Sequence, residues 1–150
     1  SKKTVEYFVE KLSEHIFHHG IINRSLVKSI NLSSDFLVNI GNSNANQVPS
    51  KVFEYISLGK PIIHISNNSE DSSLKYLTKY PLALIVNTQE SDFSYENAAI
   101  KINKFLESST NKAYSYEDIK EIYKYETADF VSEKIKKSLQ GIKRIGNDNE

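Results

Sequence analysis

Ser50, Lys51 and Glu54 follow Pro49 in the run Val48-Pro49-Ser50-Lys51-Val52-Phe53-Glu54-Tyr55-Ile56-Ser57-Leu58-Gly59-Lys60-Pro61. On a helix, this hydroxyl, ammonium and carboxylate fall within one arc of about 100°, while Val52, Phe53 and Ile56 fill a separate arc of similar width. Pro49 suits the first helical position, where its missing N–H costs nothing, and Gly59 followed by Pro61 supplies the stop. One face is core and the other is free for chemistry. The first turn of such a helix presents unsatisfied N–H groups and the positive end of its dipole, and with Lys51 beside them this end suits an anion. Asn39, Asn42, Asn44, Asn46 and Gln47 in the preceding run bring carboxamides to the same rim.

The elements that must position these residues follow from pattern. The run 60–65, Lys-Pro-Ile-Ile-His-Ile, comes straight after the helix stop and is rich in β-branched residues, so it is expected as a buried parallel strand. Upstream, Val5, Phe8, Val9 and Leu12 recur at helical spacing and predict a helix over 4–13. A short β-rich segment, 16–22, precedes Asn23, which suits the N-cap of a helix carrying Leu26, Val27 and Ile30. Residues 35–40 form the next strand, 74–79 a helix, 83–86 another strand, and 95–107 and 116–139 two closing helices, the last with a break near Tyr125-Glu126-Thr127. The tail over 141–150 is expected to fray.

Strands alternating with helices at this spacing predict an α/β fold: a Rossmann-like parallel sheet, built from right-handed crossovers, with helices on both faces. Ligands of such sheets sit beyond the carboxyl ends of the strands. Four segments reach that rim: 18–22, 39–50, 64–68 and 87–90. The longest of them, 39–50, ends at a helix start and is the best candidate site.

Composition excludes several classes. The chain carries 19 basic and 19 acidic residues, so it has no electrostatic footprint for nucleic acid. It has no cysteine, which removes disulfides, thiolate metal sites and a cysteine nucleophile. No run is long enough to span a bilayer and none resembles a secretion signal, so a cytoplasmic location is expected. His15, His18, His19 and His64 lack a metal-ligand spacing, and on one strand His18 and His19 would point to opposite faces; a structural or rim role is favoured over zinc.

The segment 48–63 resembles the donor site of nucleotide-sugar-dependent glycosyltransferases with the GT-B fold, in particular the family 4-like enzymes of bacterial polysaccharide and capsule synthesis. Phe17-His18-His19-Gly20-Ile21-Ile22 and Asp35-Phe36-Leu37-Val38-Asn39 are similar, in order and spacing, to the two strands ahead of that segment in the family's C-terminal domain. The likeness spans roughly 15–90. It implies that Glu54 accepts hydrogen bonds from the donor's ribose and that Ser50, Lys51, Pro49 and Val48 surround the diphosphate. Asn42, Asn46 and Gln47 would face the sugar, and His19, Gly20 and Ile21 the base. It implies no metal and no cofactor beyond a nucleoside diphosphate sugar, with UDP expected from the family's habit and not from any residue. Catalytic residues are not assigned by it.

Two departures narrow this expectation. Retaining members carry two glutamates with seven residues between them, and counting back from Glu54 places Asn46 where the first should stand. The stereochemical outcome is therefore left open. The family's first strand and helix units, and the whole N-terminal acceptor domain, have no counterpart here. The resemblance thus implies a fragment, a partial GT-B C-terminal domain over 1–140, inactive alone and dependent on an N-terminal domain for a glycan or lipid-linked acceptor. In the full enzyme, association with the inner face of the membrane is compatible with such an acceptor. The last helix of the family returns to the N-terminal domain, so exposure of Tyr123, Phe130 or Ile135 would mark a partner surface. Two other readings stay open: a sugar-nucleotide epimerase of the same fold, and a non-catalytic α/β binding module. A receiver-like module is disfavoured because Asp35 stands alone at a strand start, the wrong end.

Overall fold

The computed structural model describes residues 2–42, 47 and 49–147. Two compact units divide the chain, 1–34 and 35–150.

The first unit holds helices α1 (Lys2–Lys11) and α2 (Arg24–Ser33). Asn23 caps α2 as its position suggests: its Oδ1 accepts from the Leu26 N–H at 2.8 Å and from Ser25 Oγ at 2.7 Å. The strand expected over 16–22 does not form. That segment is irregular, Gly20 adopts φ +65° and Ile21 is fully exposed. β-branched residues favour a pleated surface only when a neighbouring strand supplies the ladder, and this segment has no ladder partner.

The second unit is an α/β, Rossmann-like fold. Its strands β1 (Leu37–Ile40), β2 (Ile62–Ser66) and β3 (Ala83–Asn87) lie in the order β1-β2-β3, all parallel. Leu37 aligns with Ile62 and Ala83, and Asn39 with His64 and Ile85. The two connecting helices, α3 (Ser50–Ser57) and α4 (Leu74–Leu77), share one core layer, as right-handed crossovers running the same way require. There Val52, Ile56 and Leu77 join Leu37, Ile62, Tyr80 and Leu82, and α6 (Tyr116–Ile122) completes the layer with Ile119. The opposite face belongs to α5 (Tyr95–Ser109), which packs on β3 and sets Phe105 edge-on to Phe36. Val38 and Ile40, which alternation sends to that second face, remain exposed on β1.

Local chemistry explains the boundaries. α3 is capped by Pro49 at φ −62°, so the proline stands one residue ahead of the first helical position. Gly59, at φ +70°, ends the helix as expected and leads into β2. Phe53 is not core: it is 45% exposed and packs edge-on against the Tyr76 ring, while Tyr55 takes the place beside the core. α6 opens on a capping box, with Ser115 Oγ accepting from the Asp118 N–H and the Asp118 carboxylate accepting from the Ser115 N–H. The expected break falls at a 3-10 turn, Lys124–Glu126, before α7 (Ala128–Asn147), which continues past Gly141. Of the three residues that would mark a partner surface, Ile135 is exposed, Phe130 is half-buried against Tyr125, and Tyr123 is buried with its hydroxyl donating to the Tyr76 carbonyl at 2.8 Å.

Candidate functional site

Three connections leave the carboxyl edge of the sheet. The one after β1 ends at α3, whose first turn has no side-chain cap because Pro49 has none to offer. The Val52 N–H bonds the Pro49 carbonyl at 3.0 Å, while those of Ser50 and Lys51 precede any intrahelical acceptor. Ser50, Lys51 and Glu54 are all exposed, on the side of the helix away from Val52 and Ile56. Neither the Lys51 ammonium nor the Glu54 carboxylate is in an ion pair among the described residues. The Glu54 charge is felt nearby: burial, then the Glu54 carboxylate, push the Tyr55 phenol above its ordinary value. Such an end can hold an anion on N–H groups and an ammonium, with an acceptor one turn further along.

Asn42 and Pro49 are half-buried and Gln47 is exposed on the same connection. Asn46 and Val48 lie outside the described residues. His19, Gly20 and Ile21 belong to the first unit and stand on irregular chain, not at a strand end.

Beneath this rim lies a polar cluster that sequence inspection misses. Asn39 and His64, register partners on β1 and β2, are 5% and 0% exposed, and the Asn39 carboxamide nitrogen donates to His64 Nδ1 at 2.8 Å. With Nδ1 accepting from Asn39, His64 Nε2 donates to Asp71 Oδ2 at 2.9 Å. Ser66 Oγ reaches the same carboxylate oxygen at 3.3 Å, and the Ser73 N–H donates to Oδ1 at 2.9 Å. Burial pushes the Asp71 carboxyl up, but the Ser73 N–H and the His64 ring outweigh it, and the group ends below its ordinary value of 3.8. Both His64 nitrogens are occupied and the ring is fully buried, so it is a structural histidine and not a ligand donor. Among the described residues, no group of three His, Asp or Glu could hold a metal ion.

A second feature sits where β3 meets α5. A hollow of about 240 Å³ is lined by Val86, Asn87, Phe93 and Asn97, with Glu90, Asp92 and Lys101 around it. It is smaller than the roughly 300–1,000 Å³ usual for drug-sized ligands, and its two carboxylates oppose a phosphate. Lys101 is shared with Glu90 at 3.9 Å. The hollow is a poorer candidate for an anion than the start of α3.

Comparison with family models, with curated proteins and with solved structures finds no match to this chain. No described helix is long and apolar enough to cross a membrane.

Proposed function

We propose that this chain is the donor-binding domain of a GT-B glycosyltransferase, binding a nucleoside diphosphate sugar, with UDP the first nucleotide to test. The observation that carries the reading is the start of α3: a helix end with no side-chain cap at the carboxyl edge of a parallel sheet, with Ser50, Lys51 and Glu54 exposed together and, among the described residues, neither Lys51 nor Glu54 in an ion pair. Diphosphate oxygens would accept from the Ser50 and Lys51 N–H groups and from the Lys51 ammonium, and ribose hydroxyls would donate to Glu54. Transfer breaks the bond between the sugar and the diphosphate and forms a new one to an acceptor hydroxyl. This end of the sheet would stabilise the charge gathering on the leaving diphosphate, a purely electrostatic contribution. The acceptor, a glycan or lipid-linked hydroxyl, would be held by a further domain of the full enzyme.

Calorimetric titration with UDP and UDP-sugars tests this directly. Glu54→Ala should weaken binding by about 1.5–3 kcal/mol, the value of a hydrogen bond to a charged group. Equal affinity in wild type and variant would remove the ribose role, and no binding of any nucleoside diphosphate would remove the whole reading.

A further inference from the structure

We propose that Ser72 is a positioning residue for the α3 site: β2 and the connection leaving it hold the connection leaving β1 at Gly41 and at Gln47 and so set where Ser50 and Lys51 stand over the sheet. This rests on the reading of α3 as an anion site.

The first grip is at Gly41. Its N–H continues the ladder by donating to the Ile65 carbonyl at 2.8 Å, and a Cβ placed on it would lie 2.1 Å from Asp71 Oδ2. Only a glycine lets the chain leave β1 this close to the carboxylate. Asp71 in turn has little freedom, because His64 Nε2, Ser66 Oγ and the Ser73 N–H converge on it and Asn39 anchors His64 to β1. The second grip is at Gln47. Ser72 Oγ donates to the Gln47 carbonyl at 2.8 Å, two residues before Pro49 starts α3.

Ser72 follows Asp71, the anchored carboxylate against which Gly41 packs, so Gln47 is tied to a segment of chain that is itself held in place. Ordering a residue's backbone costs conformational entropy, and a site that must be ordered when its ligand arrives loses affinity accordingly. A rim held from below has met that cost in folding. Ser72 touches no proposed ligand group and acts only through the backbone at Gln47.

The test uses Ser72→Ala and the hydroxyl-retaining Ser72→Thr in the whole chain. Amide order parameters of Ser50 and Lys51 by NMR, without ligand, should fall in Ser72→Ala from about 0.85 toward about 0.6, and Ser72→Thr should restore them. UDP affinity should fall about tenfold in Ser72→Ala, the loss of one hydrogen bond's worth of placement, with an unchanged thermal midpoint. Order parameters that stay at the wild-type value in Ser72→Ala overturn the inference whatever UDP does. Fallen order parameters with UDP affinity equal to that of a binding wild type overturn it too, because the site then does not depend on placement. A wild type that binds no UDP removes the function proposed above, and the order parameters alone then decide whether the grip exists.

Discussion

Asp71 shows how one carboxylate can be both the most constrained and the most consequential residue of this rim. It is 4% exposed and accepts from His64, Ser66 and Ser73. Asp71→Asn keeps the shape, but its single amide oxygen can accept from the Ser73 N–H or from His64 Nε2 and not from both, so its NH2 is set against the other donor. It should cost about 1–3 kcal/mol at neutral pH, the range for disturbing a buried polar group's partner. The pH dependence has a definite sign. Because the folded chain holds this carboxyl below its ordinary 3.8, its contribution is complete above that value and is lost as pH falls through the lower folded value. Urea midpoints of wild type and Asp71→Asn should therefore differ most near neutrality and converge in acid. A gap that stays constant from neutrality into strong acid would show that ionisation of Asp71 is not what the fold uses.

At the level of elements, α3 was legible because its evidence is local: helical spacing of Val52 and Ile56, a proline before it and a glycine after it. The break before α7 was legible for the same reason, as was the N-cap at Asn23. Three features were not. The 16–22 segment has strand composition but no ladder, and composition carries no information about a missing partner. Phe53 left the core arc for the Tyr76 ring, a choice made by a neighbour 23 positions away. The Asn39–His64–Asp71 cluster joins residues 25 and 7 positions apart, and only the register between β1 and β2 brings the first pair together. A carboxamide and an imidazole on adjacent buried strands were the sole hint in sequence. Gly59 is where local and tertiary demands coincide, since its φ of +70° ends α3 and a Cβ there would lie 2.0 Å from the Tyr114 carbonyl oxygen. Its own carbonyl accepts from the Tyr114 N–H at 2.8 Å, so the chain entering α6 cannot simply move away. Gly59→Ala should lower stability by about 2–4 kcal/mol, left-handed strain added to a backbone clash. A thermal denaturation midpoint within a degree or two of wild type would show that the 114 segment yields freely.

Across the whole molecule, the two units differ in what holds them. In the second, β2 has a neighbour on each side and helices above and below, and Ile62, His64 and Ser66 are completely buried. Tyr80 and Tyr123 lock the adjoining layer, each hydroxyl donating to a backbone carbonyl, at Lys60 and Tyr76 respectively. Burial, then the Glu126 carboxylate, push the Tyr123 phenol up to about 12, so that bond persists well into alkali. The described residues of the first unit show no such centre: α1 and α2 are ten residues each, and Val5, Phe8, Leu12, Leu26 and Ile30 are all more than a third exposed. Helices shorter than about 12–15 residues are marginal in water unless an apolar face is packed, so the two units should open at different free energies. Native-state hydrogen exchange should find the slowest amides in Ile62–Ser66, exchanging only through global unfolding, and those of α1 exchanging at least about a hundredfold faster, a difference near 3 kcal/mol. Equal protection of α1 and β2 would mean that the chain unfolds as one cooperative body, and that the apolar residues of α1 carry more of its stability than their exposure allows.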